Sequence, residues 1–215
     1  MDRDARVLRA LVSAHGRTYA EEAGIRLADT PQPLYRLLVL ALLLSARIRA
    51  SVAVAAARAL HEDRLDSPHK MAQAGRRRRV EALGRAGYRR YDERTSAQLG
   101  DGAVLLTERW GGDLRRLHRA ADGDPGALKR LLQEAPGIGP AGAGIFLREA
   151  QRVWPDVAPY LDGKALSGAG RLGLPTDPEQ LIRLAGDTEP AVLAAALVRA
   201  ALDARLAEDC LRRAA

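Results

Sequence analysis

Cysteine is almost missing from this chain. Cys210 stands alone, which excludes an intramolecular disulfide and any all-cysteine metal or iron–sulfur site within one chain. Lysine is nearly as scarce: of 34 basic residues only Lys70, Lys129 and Lys164 carry an ammonium, so amine chemistry has three side chains to draw on. Aromatic residues make up 4%, with a single phenylalanine. Alternating apolar–polar runs are absent, which argues against a half-buried sheet, and no segment repeats at a fixed period. The longest apolar run, residues 37–46, is too short to span a bilayer. The four histidines, His15, His61, His69 and His118, share no metal-ligand spacing, so no metal site is expected.

What is present is arginine and helix. The formal net charge is +7 over 215 residues, with a pI near 10.1. Such charge suits nucleic acid, an acidic membrane surface or an acidic protein, and equally a compositional habit of the source genome. With 47% hydrophobic residues the chain can bury a real core. The charged, mixed start Met1-Asp2-Arg3-Asp4 has no signal-peptide pattern. A soluble, cytoplasmic protein with no membrane partner is expected.

The periodicity predicts an all-α fold of about ten or more short helices. Val7, Leu8, Leu11 and Val12 form the stripe of a first helix that Gly16 ends. Thr30-Pro31 starts a second over residues 34–45, apolar nearly all round and therefore central. Helical patterns follow at 50–60, after Gly75, and at 103–110, 114–120, 125–134 and 140–153, with a turn at 84–91. Residues 190–213 read as one long helix.

The segment Ala135-Pro136-Gly137-Ile138-Gly139-Pro140-Ala141-Gly142-Ala143 carries the most chemistry. Two glycines around one apolar residue, at a helix start, let backbone amides approach a phosphate without side-chain obstruction. A helix–turn–helix corner would use glycine too. A carboxylate, Asp162, follows between Leu161 and Gly163, and then Arg171-Leu172-Gly173. Phosphate docking plus one carboxylate points to chemistry on a nucleic acid.

These residues also carry a resemblance. Residues 125–134, the Pro136–Gly139 turn and residues 140–153 resemble a helix-hairpin-helix. With Asp162 and Arg171-Leu172-Gly173-Leu174 downstream, the order is similar to the endonuclease III-like superfamily of DNA glycosylases. Leu43-Leu44-Ser45-Ala46-Arg47 resembles that family's Leu-Leu-Ser-Ala-Gln stretch, and Gly87-Tyr88 falls where it has a Gly-Leu turn. The resemblance spans about residues 34–174. It implies a two-lobed helical fold, with residues 27–140 as a bundle of about six helices and residues 1–26 plus 141–215 as the second lobe. It further implies a monomer that binds double-stranded DNA across the cleft and flips a damaged or mispaired nucleotide out of the stack. Asp162 would be the catalytic carboxylate, with Asp156 as runner-up because the spacing from Gly139 is longer than usual. Pro136, Gly137, Ile138, Gly139, Ala141 and Gly142 would hold the phosphodiester, with a monovalent cation as the one cofactor this reading allows. Arg47 and Tyr88 would invade the duplex.

Two departures from the family stand out. Members that also cut the abasic strand carry a lysine two residues after the second hairpin glycine; here Ala141 stands there, and alanine has no amine for a Schiff base. The four-cysteine cluster of many relatives has no ligand set here, so none is expected. A monofunctional glycosylase is therefore expected. A non-catalytic DNA-binding protein of the same fold, or a bifunctional enzyme using Lys164, are the alternatives.

Each residue also has a plainer role. Asp162 suits the N-cap of a helix at Gly163, and Lys164 a surface position that would also meet DNA. Arg47 suits a solvated helix end, Tyr88 a loop anchor, and Arg76–Arg79 either a solvated face or a track for phosphates. The scarcity of aromatics argues against an alkylpurine pocket built on stacking.

Overall fold

The protein is described here from a computed structural model covering residues 3–214. Among these residues fourteen helices account for all regular structure, and no strand occurs. Six of them open on a proline in the first turn: α3 (Pro31–Ser45), α5 (Pro68–Gln73), α9 (Pro125–Leu132), α10 (Pro140–Ala150), α12 (Pro178–Ala185) and α13 (Pro190–Leu202). Proline suits that position because its missing N–H has no helical acceptor there.

The centre is α3, where Leu34, Tyr35 and every residue from Leu37 to Leu43 are buried. It packs on α4 (Ala50–Glu62), on α8 (Leu114–Ala120) and on α10. Around it α6 (Arg76–Arg85) and α7 (Asp92–Trp110) pair with α4 and α5. A second set of contacts joins α1 (Arg3–His15) to α12, α13 and α14 (Ala204–Ala214), and α11 (Gly163–Arg171) to α13. Helix α10 touches both sets, packing against α3 and α9 and also against α13.

Two expectations are corrected. Residues 190–213 do not form one helix. The Asp203 carboxylate accepts the amides of Arg205 and Leu206 at 2.9 and 3.2 Å, and this side-chain cap starts α14 afresh. The arginines of the run Arg76–Arg79 are each engaged within the protein. Arg79 is buried, donating to the carbonyls of Met71 and Ala74 and to Ser96 Oγ. Arg76 pairs with Glu93 and Arg77 with Glu81, while Arg78 donates to the Asp63 carbonyl. The helix expected at 103–110 begins earlier, at Asp92.

A buried carboxylate ties the short α2 (Tyr19–Glu22) to α10. Glu149 accepts the Tyr19 and Ala20 amides at 3.0 and 3.1 Å, filling two donors that a helix start leaves open. Burial pushes its carboxyl above the ordinary value. Glu149→Ala would strand both amides in the interior and cost about 2–4 kcal/mol. Urea denaturation measures this; a loss under about 1 kcal/mol would mean that water reaches those amides.

Candidate nucleic-acid interface

The hairpin follows from its glycines. Gly137 has φ +87°, in the left-handed region that favours glycine, and a Cβ there would lie 2.8 Å from Gln98 Cδ. Ile138 then turns inward, 4% exposed, and its amide closes the turn on the Ala135 carbonyl at 2.9 Å. Gly139 is the N-cap of α10 and Pro140 its first residue. Neither a side chain nor a carbonyl of the described residues takes the amides of Gly139, Ala141 and Gly142. These donors, with the positive end of the helix dipole behind them, form an anion-binding surface. Ile138 adds no donor to it: its amide is spent on Ala135 and its side chain is buried.

The hairpin borders a cleft of about 460 Å³. Gly137, Gly139, Pro140, Ala141 and Gly142 form one side; Leu42, Ser45, Ala46 and Arg47, towards and beyond the end of α3, form another; Tyr88, Tyr91, Arg94, Thr95 and Gln98 form the third. Pro136 lies behind this rim, against a smaller apolar cavity. Arg47 is exposed. It also reaches a second groove of about 510 Å³ that it shares with Arg49, Arg89 and Arg90.

Tyr88 does not stand ready as a wedge. It is 1% exposed, and its hydroxyl lies 3.0 Å from Thr95 Oγ1. The cause is local: Gly87, at φ +78°, reverses the chain after α6, and the Tyr88 amide returns to the Leu83 carbonyl. The side chain therefore points into the core and anchors the turn.

Asp162 and Lys164 do not line the cleft. Asp162 caps α11, as the plainer role expects. Its Oδ1 accepts the amides of Lys164 and Ala165 at 3.1 and 3.0 Å and faces Arg148 Nη1 at 3.4 Å. Its Oδ2 has no hydrogen-bond partner among the described residues. Oδ2 rests on a bare point of α10: a Cβ on Gly144 would lie 3.2 Å from it and 3.7 Å from the Tyr160 hydroxyl. Gly144 is three residues along α10 from Ala141, so the two share a face and stand about 4.5 Å apart along the axis. The carboxylate thus sits one turn beyond the hairpin amides on one helix. Lys164 is exposed in the first turn of α11. Asp156 is engaged elsewhere, 2.7 Å from His118 Nε2, with His118 stacked on Trp154 at 4.1 Å.

Several supporting residues were not expected from the sequence. Gln151, 4% exposed, holds the Tyr160 backbone at both ends: its Oε1 accepts the Tyr160 amide at 2.7 Å and its Nε2 donates to the Tyr160 carbonyl at 3.1 Å. This fixes the approach to α11. Burial, with Asp162 nearby, raises the Tyr160 phenol above its ordinary value, and Arg148 opposes this. Gly144 and Arg148 could have been found from Asp162 only by knowing that α11 returns to α10.

No protein-family model matches this chain, and no curated protein matches it. Among solved structures it is similar to endonuclease III in a trapped covalent intermediate with DNA, an estranged-adenine complex. The identity is 14% and the TM-score 0.51, over 90% of this chain and 84% of that one. At that identity the likeness is one of fold: the chain has an endonuclease III-like helical fold. Among the described residues no helix is long and apolar enough to cross a membrane.

Proposed function

We propose that the protein is a monofunctional DNA glycosylase that hydrolyses the N-glycosidic bond of a damaged or mispaired base in duplex DNA. The observation that carries this reading is the pairing, on one face of α10, of open hairpin amides with the free Oδ2 of Asp162 one turn away. In an endonuclease III-like fold this suits a grip on the sugar–phosphate backbone beside a flipped nucleotide. The amides hold the phosphate, and Oδ2 faces the sugar. As the base leaves, C1′ gains oxocarbenium character, and a fixed carboxylate in a drying site stabilises it and orients the attacking water. Arg47, exposed at the end of α3, fills the space that the flipped base leaves, and Lys164 meets the backbone. The protein acts as a monomer on double-stranded DNA, with residues 27–140 as one lobe and 1–26 plus 141–215 as the other.

The carbonyls of Pro136, Gly137 and Ile138 accept no hydrogen bond among the described residues. They fit a monovalent cation, which when bound would add positive charge beside the phosphate.

A panel of duplexes, each with one defined lesion, tests the reading. Base release from at least one is expected, with strand breaks only after alkali and no complex trapped by borohydride, because Ala141 offers no amine. A trapped complex lost in Lys164→Ala would make the enzyme bifunctional. Tight binding without release from any duplex would favour the non-catalytic alternative.

A further inference from the structure

The hairpin amides account for one side of the cleft and leave the α7 side unexplained. Tyr91, Arg94, Thr95 and Gln98 are spaced three and four residues apart, so they share one face, and that face looks across the cleft at the hairpin. Thr95 is engaged with Tyr88. The Arg94 guanidinium and the Gln98 carboxamide make no hydrogen bond or ion pair among the described residues. The neighbouring arginines of α6 behave differently. Arg76, Arg77 and Arg85 are held by carboxylates, and Arg78 and Arg79 by carbonyls. No carboxylate lines the cleft, so nothing there neutralises Arg94. Gln98 is held in place by the hairpin itself, since its Cδ occupies the space a Cβ on Gly137 would need.

We propose that Arg94 and Gln98 are the side-chain half of a phosphodiester site whose backbone half is the hairpin. The inference rests on the DNA-binding reading and assigns its second wall. One strand runs between the walls. The Gly139, Ala141 and Gly142 amides take one phosphate, the planar guanidinium of Arg94 takes the next, and the Gln98 amide donates between them. Arg94 adds charge, and with it salt dependence; Gln98 adds a neutral donor.

Anisotropy of a fluorescein-labelled duplex with a central tetrahydrofuran abasic analogue, across a salt series, separates these terms. A lost phosphate contact lowers the slope of log K against log salt by about 0.9, which is about eightfold in affinity near 0.1 M salt. Arg94→Ala is expected to show both effects and Arg94→Lys to restore the slope. Gln98→Leu is expected to weaken binding with the slope unchanged. Arg205→Ala removes an exposed arginine of α14 and controls for net charge, so it should match wild type. Gly139→Val tests the other wall. Nothing lies within 4 Å of a Cβ at Gly139, whose φ is −89°, so the fold tolerates the change while the side chain blocks the phosphate. If Gly139→Val loses binding but Arg94→Ala keeps the wild-type slope, the second wall is overturned and the DNA reading stands. If Arg94→Ala and Arg205→Ala lower the slope equally, the effect is net charge and the wall is again overturned. If the wild-type protein does not bind the duplex, both readings fall.

Discussion

Asp162→Asn should lower single-turnover base release by about a hundredfold or more, near 3 kcal/mol of transition-state stabilisation, while leaving the protein folded and bound to DNA. The structure makes asparagine the informative substitution. Oδ1 of Asp162 caps α11 through the Lys164 and Ala165 amides, and an asparagine oxygen keeps that cap. What it removes is the negative charge on the free oxygen. Asp162→Ala, by contrast, loses the cap as well and should cost about 1 kcal/mol of stability. Measuring both variants on the best duplex of the lesion panel separates chemistry from folding. Near-wild-type release by Asp162→Asn would remove Asp162 from the mechanism. Asp156, exposed and bonded to His118, would then be the next carboxylate to test.

Gly168→Ala should be the most damaging single methyl group in the chain. Helix α11 lies so close on α13 that a Cβ at Gly168 would stand 1.9 Å from the Leu197 carbonyl oxygen and 2.7 Å from its carbon. Backbone cannot yield as a flexible side chain does, so the helices must separate, at about 3 kcal/mol or more. For a domain of this size that lowers Tm by about 6–12 °C. Gly163→Ala, in the first turn of the same helix with nothing within 4 Å of its Cβ, is the matched control and should be neutral or stabilising by about 0.4–1 kcal/mol. Calorimetry on the two variants checks this, and equal melting temperatures would mean that α11 and α13 separate at no cost. Because α11 carries Asp162 at its start, release should fall with the Gly168→Ala shift as well.

The helical fold was legible in the sequence because its signals are local. Thr30-Pro31 marks the start of α3, and the apolar run behind it marks a central helix. Gly137 and Gly139 announce a turn, since φ +87° at Gly137 asks for glycine. The break at Asp203 was missed because an apolar pattern continues through it; only the side-chain bonds to Arg205 and Leu206 reveal the new start. For Tyr88 the sequence left a wedge and a loop anchor open, for a related reason. A tyrosine after glycine looks alike whether it faces solvent or Thr95, and tertiary packing chose Thr95. Gly144, Arg148 and Gln151 carry no motif. They matter because a distant segment returns to α10, and that return is a long-range fact. The dual use of Asp162, with one oxygen spent on α11 and one left open, needs both atoms placed and lies beyond any sequence pattern.

The sharing of α10 between the hairpin and Asp162 makes the helix a gauge bar. Its rise of about 1.5 Å per residue sets the offset between the two along the axis, and about 100° of rotation per residue sets their common bearing. Tolerance here is therefore counted in residues more than in chemical character. A substitution on the solvent flank of α10 leaves the gauge as it is. One residue inserted between Ala141 and Gly144 would preserve every group and still swing Gly144, and the carboxylate seated on it, roughly a quarter-turn away from the hairpin amides. Length between these two points is as much a part of the proposed site as the oxygen and the amides at its ends.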